Sequence, residues 1–350
     1  MVQANKKIAL LHRYPAAQIK ETNAAFPYLA NNTFQVSEEK QDSIGIKGTA
    51  IFAIDVLTFK KFNRLSKWRK HIKSFLWIFY APLLVIGKGY DVIYCDDSYP
   101  FYPALVKLVS PRSKVIIRLG DLHLMYYFSG FVFKILHFFE KIAWKMSDEI
   151  ICISYAMVEY VFAETDKLPK LALDPIDPKD FQTDFNITLR KVMFHGVLTK
   201  NKNVDILLEA ARRLPYIGFD IIGAGPDLKR LKKLAPENVT FHGWVPFKDI
   251  KYFISVCSVG VALRSSNPGN EYVVTSPFLQ YGIMGKPCLV TRRRVFGDYE
   301  WQFSGVEEMV EKIKILLDKP EEGTKLRTYI LQNHDAKKIA EDIWEILKSV

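Results

Sequence analysis

From residue 6 to residue 165, short apolar runs rich in β-branched residues alternate with longer stretches whose apolar positions recur at helical spacing. The runs "KIALLHRY", "GTAIFAID", "DVIYCDDS", "KVIIRLGD" and "DEIICIS" read as strands, and the last three end in polar residues. Such alternation predicts a parallel sheet covered by helices, with functional loops at the carboxyl ends of the strands. Asp96, Asp97, Ser98, Arg118, Asp121 and His123 are therefore expected along one edge.

Around 167–181, "KLPKLALDPIDPKDF" has three prolines and no clear period, as a linker would. A second alternation follows, with strands at "KVMFHGV", "FDIIGAG", "VTFHGWV", "VGVALRS" and "KPCLVT". Helices are expected over 203–214, 226–235, 247–256, 276–285 and 306–318. The tail "DAKKIAEDIWEILKSV" aligns Ile339, Ile343, Ile346, Leu347 and Val350 in one stripe that needs a surface to pack on. The expected class is α/β with two doubly wound parallel-sheet domains, over 1–170 and 182–335, and a tail helix over 336–350 docking back on the first.

A length of 350 residues agrees with two domains, since single cores stop growing near about 250 to 300 residues. Apolar residues at 49% and aromatics at 13% exclude a disordered chain. No apolar run reaches the roughly 18 residues that a spanning helix needs. The start "MVQANKKIALLHRYP" suits a first buried strand rather than a signal peptide, so a cytoplasmic location is expected. Cys95, Cys152, Cys257 and Cys288 lie far apart without CxxC spacing and read as reduced thiols, with no bound metal expected.

The net charge of +11 changes the picture locally. "KKFNRLSKWRKHIK" (60–73) contains no acid and precedes the apolar stretch "SFLWIFYAPLLVIG". This order suits either an anionic membrane surface, at the inner face, or a solvated helix followed by a core helix. No nucleic-acid-binding motif accompanies the charge, so nucleic acid is not an expected partner.

Three stretches carry candidate chemistry. In "FHGVLTKNKNVDILLEAARRLP" a strand ends at Gly196, and a polar loop with Lys202 feeds a helix whose free N–H groups make an anion site. In "FDIIGAGPDLKRL", Gly223 and Gly225 follow a strand directly, and Pro226 opens a helix. Glycines there admit either close approach of a flat ligand or a tight turn. A dinucleotide fingerprint fits less well, because Leu228 stands in the place of its third glycine. In "SPFLQYGIMGKP", Ser276 reads as an N-cap and Pro277 as the first helical residue, with a stop at Gly285 and Pro287.

These stretches, in this order and spacing, resemble the second domain of retaining, GT-B-fold glycosyltransferases of glycosyltransferase family 4. "LDPIDPKDF" looks like that family's interdomain segment, and "IICIS" like its last first-domain strand. The resemblance implies a GT-B architecture of two domains facing a cleft. It implies transfer of a sugar, with retention, from a UDP- or GDP-sugar to a saccharide or lipid-linked acceptor held by the first domain, with no cofactor.

Lys202 matches the phosphate-binding lysine, and Gly196, Gly223 and Gly225 match the turns beside the nucleotide. Tyr272, Ser276 and Gln280 fall on the donor-sugar segment, with Glu271, Asp121 and Arg118 as catalytic candidates. The sequence departs from the pattern at Val197, where an arginine usually stands, and at Asn203, in place of a common glycine. It departs again at Leu119, in place of an acceptor-side histidine, and at Tyr272 and Gln280, in place of two glutamates. His12, Arg13 and Tyr14 replace a glycine pair after the first strand, and Arg264 or Arg292, Arg293 and Arg294 could supply the missing cation. Two other readings stay open: a non-catalytic GT-B partner or glycan-binding subunit, and an NAD-binding oxidoreductase resting on "GAGPDL" alone.

Overall fold

The computed structural model describes residues 8–12, 44–46, 49–53, 78–79, 81–96, 101–183 and 189–350. The basic run 60–73, Arg13, Tyr14, Asp97, Ser98 and the side chain of His12 lie outside the described residues. The chain forms two compact units, one of residues 1–175 with 336–350, the other of residues 176–335.

In the first unit the strands are β1 (Ile8–His12), β2 (Ile44–Ile46), β3 (Thr49–Ala53), β4 (Val92–Asp96), β5 (Lys114–Leu119), β6 (Glu149–Cys152) and β7 (Lys170–Leu171). Their order is β2-β3-β1-β4-β5-β6-β7, parallel except for the β2–β3 pair. Residues 115–119 of β5 are all buried, which is why this strand reads as a continuous apolar run broken only by Arg118. Helices α1 (Tyr102–Val109), α2 (His123–Tyr127), α3 (Gly130–Met146) and α4 (Tyr155–Thr165) belong to this unit.

The second unit orders its strands β10-β9-β8-β11-β12-β13, all parallel. They are β8 (Lys191–His195), β9 (Gly218–Ile222), β10 (Val239–Gly243), β11 (Val259–Ala262), β12 (Cys288–Thr291) and β13 (Gln302–Phe303). Helices α5 (Asp205–Arg213), α6 (Leu228–Leu234), α7 (Ile250–Val256), α8 (Ser276–Ile283), α9 (Val306–Leu317) and α10 (Glu321–Asn333) cover both faces. The two-residue period of the strands sorts the core: Val192, Phe194, Ile221, Val261 and Leu289 pack with α5 and α9. Met193, Ile222, Ala262, Cys288 and Val290 pack with α7, α8 and α10 on the other side.

Both sheets are doubly wound, as the alternation predicts. In the second unit the chain starts at β8, moves outward to β10 and returns to β11, so its switch point lies between β8 and β11. The final helix, α11 (Ala336–Ser349), buries Ile339, Ile343 and Leu347 against Ile8, Val92, Tyr94, Ile116 and Ile151 of the first sheet. No helix among the described residues is long and apolar enough to cross a membrane.

One local expectation is corrected. The cap of α8 is Thr275, not Ser276: its Oγ1 accepts the Phe278 amide at 3.2 Å, and its backbone is extended, φ −85° and ψ 137°. An N-cap needs that non-helical backbone. Ser276 is the first helical residue, and Pro277 follows it within the first turn.

Candidate active site

At the switch point of the second unit lies a cavity of about 590 Å³. Four loops line it: Lys200, Lys202 and Asn203 after β8, Leu263–Asn267 after β11, Arg292 and Arg293 after β12, and Ser304 after β13. The lining includes five cationic side chains and no carboxylate. An enclosure of that charge is built for an anion.

Lys202 closes a short 3-10 turn, Lys200–Lys202, and is half-buried. Burial, and then the neighbouring Arg264 guanidinium, lower its pKa to about 8. No carboxylate among the described residues pairs with it. The turn ends at Asn203 in the left-handed region, φ 52° and ψ 44°, its amide bonded to the Lys200 carbonyl at 3.0 Å. Asparagine is the non-glycine residue that best tolerates that conformation, so the departure from glycine here preserves the loop.

Arg264 donates through Nη1 to Asn270 Oδ1 at 3.0 Å, while its buried Nε has no partner. Arg293 is committed to the scaffold. Its Nη2 donates to the Ser265 carbonyl at 2.7 Å and its Nη1 to the Arg292 carbonyl at 2.6 Å. Arg292 binds Ser304 Oγ at 3.0 Å and Glu308 Oε1 at 2.9 Å. Lys200, Lys202 and the Nε of Arg264 have no hydrogen-bond partner among the described residues, and the Nε of Arg293 has only the Glu271 carboxylate at 3.5 Å, so these cations have capacity left for a ligand.

Of the residues singled out by the resemblance, Lys202 lines this cavity; Gly196, Gly223, Gly225, Glu271, Tyr272, Ser276 and Gln280 do not. Glu271 accepts the Arg294 amide at 2.9 Å and lies 3.5 Å from Arg293 Nε, which ties the loop after β11 to the loop after β12. Tyr272 is half-buried and Ser276 exposed. Gln280 is buried, and its side-chain amide has no hydrogen-bond partner among the described residues. Val197 is 59% exposed, so no cation stands at that point of the β8 loop.

Gly223 and Gly225 have a different physical reason from ligand approach. A Cβ on Gly223 would stand 1.9 Å from the Gly196 carbonyl oxygen, and one on Gly225 would stand 2.1 Å from that of Leu198. The loops after β8 and β9 cross backbone on backbone, joined by the Leu198 amide to the Ala224 carbonyl at 3.0 Å.

In the first unit, Arg118 at the end of β5 is 3% exposed and lies 3.2 Å from both Asp96 Oδ1 and Asp174 Oδ1. Its guanidinium is a buried strut between carboxylates. Asp121 is half-buried, its Oδ1 accepting the Leu122 amide at 2.9 Å, and the His123 ring stacks on Tyr127. Leu119 is fully buried. Sequence reasoning passed over Ser265, Asn267, Asn270, Thr291 and Ser304. For Ser265, Asn267 and Asn270 the signal was the polar run "RSSNPGN" directly after an apolar strand, which by topology lies at a carboxyl end; Thr291 and Ser304 likewise stand at the ends of strands. No group of three histidines, cysteines or carboxylates able to hold a metal exists among the described residues.

Two doubly wound units, one with a cationic cavity at its switch point, define a GT-B glycosyltransferase architecture. The family model of glycosyl transferases group 1 matches residues 190–349, nearly the whole of the second unit together with the final helix. Solved structures share the fold along almost the whole chain. HepE from Anabaena in complex with UDP and glucose has a TM-score of 0.67 at 15% identity, covering 99% of this chain and 100% of that one. Sucrose-phosphate synthase from Thermosynechococcus elongatus has a TM-score of 0.70 at 12% identity, covering 98% of each. A glycosyltransferase from Rickettsia africae has a TM-score of 0.69 at 12% identity, covering 99% of each. No curated protein matches the chain in sequence.

Proposed function

We propose that this protein is a glycosyltransferase that takes its sugar from a nucleoside diphosphate sugar, a UDP-sugar before a GDP-sugar, and moves it with retention to a saccharide or lipid-linked acceptor. The observation that carries the donor half is the cavity lined by five cations and no carboxylate. Complexes of HepE with UDP, and with UDP and glucose, support UDP as the nucleotide.

Breaking the bond between the anomeric carbon and the β-phosphate oxygen leaves negative charge on the diphosphate. Lys202 Nζ and Arg264 Nε, both without a hydrogen bond to a described protein group, offset that charge. Arg264 takes the part of the arginine missing at Val197. Gly196, Gly223 and Gly225 hold the two loops in register, and Tyr272, Ser276 and Gln280 face the donor's sugar and ribose in this reading. Asp121 receives the acceptor hydroxyl's proton, and Glu271 and Arg118 act by fixing loop and strand ends.

A thermal-shift panel of UDP, GDP and their sugars tests the donor assignment. UDP should raise the midpoint and Lys202→Ala should abolish the rise; no shift with any nucleotide would sink the proposal. The uncharged Gln280 and the exposed Val197 favour a second reading, a GT-B subunit that binds but does not turn over. Steady release of UDP from a UDP-sugar by the purified chain would exclude it.

A further inference from the structure

We infer that the outer face of α3 is a docking surface for an anionic lipid bilayer. The inference is independent of the donor assignment. It starts from the way the helix is fixed in the first unit. Its inner face buries His137, Glu140, Ala143 and Trp144. His137 Nδ1 lies 3.1 Å from Glu140 Oε2, and its Nε2 lies 3.1 Å from the Tyr160 hydroxyl of α4. Polar contacts with directional requirements, placed inside an apolar face, set the rotation of the helix about its axis.

That rotation leaves large apolar side chains outside. Phe131 is 76% exposed, Ile135 42% and Phe138 57%, at the i, i+4, i+7 spacing of a single stripe. Phe139, 45% exposed, widens the stripe toward Phe101, whose ring centroid lies 5.7 Å away. A solvated helix would carry polar residues at these positions, and a contiguous apolar patch marks a surface that something covers.

Charge decides what covers it. The one carboxylate of α3, Glu140, is 4% exposed and faces inward. Lys141 pairs with Glu164 of α4 at 3.1 Å. Lys134 and Lys145 are exposed and have no acidic partner among the described residues. The outer face is therefore aromatic, aliphatic and cationic, with no acid. A second copy meeting it through a two-fold axis would bring like charges together with no carboxylate to answer them. An anionic headgroup layer over hydrocarbon answers both features at once. The helix has 17 residues and lies among packed neighbours, so it rests in the interface and does not span it.

Co-sedimentation of the full chain with vesicles tests this, using phosphatidylcholine alone and phosphatidylcholine with one third phosphatidylglycerol. The wild type should bind the anionic vesicles at least about tenfold better, each lysine contributing about fivefold. The combined Phe131→Ser, Ile135→Ser, Phe138→Ser variant should lose binding to both. Its thermal midpoint should stay unchanged, because the three side chains are exposed. Lys134→Glu with Lys145→Glu should remove only the preference for anionic lipid. In a Phe131→Trp variant, brominated lipid should quench the added indole fluorescence, which a purely electrostatic contact would not do. Absence of wild-type binding, or equal binding by the triple-serine variant, would overturn the assignment; so would a wild-type dimer that the serines convert to monomer.

Discussion

The carbonyl oxygen of Gly196 lies 1.9 Å from the point where Gly223 would carry a Cβ, and Gly223 has φ +142°. Two constraints coincide there, a steric one and a torsional one. Gly223→Ala should destabilise the protein by about 3 kcal/mol or more, measured by urea unfolding, because backbone rather than a movable side chain must give way. Gly243 is the control. It also has positive φ, +73°, but nothing within 4 Å of its Cβ position, so Gly243→Ala should cost only about 1 kcal/mol. Equal costs at both positions would show that the crossing of the two loops is not tight.

Lys202 links the charge of the cavity to pH. Its pKa falls from 10.5 to about 8, through burial first and the Arg264 charge second. Below that value both folded and unfolded chains carry the proton, and the folded chain carries the full cost of the buried cation. Between about 8 and 10.5 the unfolded chain binds more protons, so the stability of the free protein should rise with pH across that window. UDP affinity should move the opposite way, falling as the ammonium is lost. Lys202→Met should raise the thermal midpoint at neutral pH by at least about 2 °C and remove the UDP-induced rise. A variant less stable than wild type at neutral pH would contradict the burial cost.

Much of this fold was legible because β4, β5 and β6 are buried on both faces and so read as unbroken apolar runs. The short strands β2 and β7 were not, since two or three residues carry no period. Lys202 was legible as a loop lysine before a helix. The partners of Glu271 were not: Arg293 and Arg294 come from a loop more than twenty residues on, and only the sheet order brings them together. The same holds for Arg118, where a polar residue at a strand end suggests chemistry. Asp174, 56 residues away, is what turns it into a buried ion cluster. Long-range pairing of charges is invisible to local pattern, whereas burial on both faces is not.

Gln280 separates stability from recognition. Its amide is buried at the edge of accessibility and bonds to no described protein group, so Gln280→Leu should change stability by less than about 1 kcal/mol. If the amide serves the ribose, the same variant should weaken UDP-sugar binding by about 1 to 3 kcal/mol, while Gln280→Glu should retain it. Calorimetric titration of the three proteins checks this. Unchanged affinity in the leucine variant would move weight to the binding-only reading.

Arg118 answers the question whether a charged residue at a strand end is catalytic or structural. The side chain is 3% exposed and bridges Asp96 and Asp174. Removing it would take the buried guanidinium from between two carboxylates, a loss of about 3 to 5 kcal/mol. Arg118→Ala should therefore unfold at markedly lower urea than wild type. Arg118→Lys should fall between them, because one ammonium cannot reach both carboxylates with the fork that a guanidinium presents. If Arg118→Ala kept full stability but lost turnover at saturating donor, the guanidinium would act on substrate, and the strut assignment would be wrong.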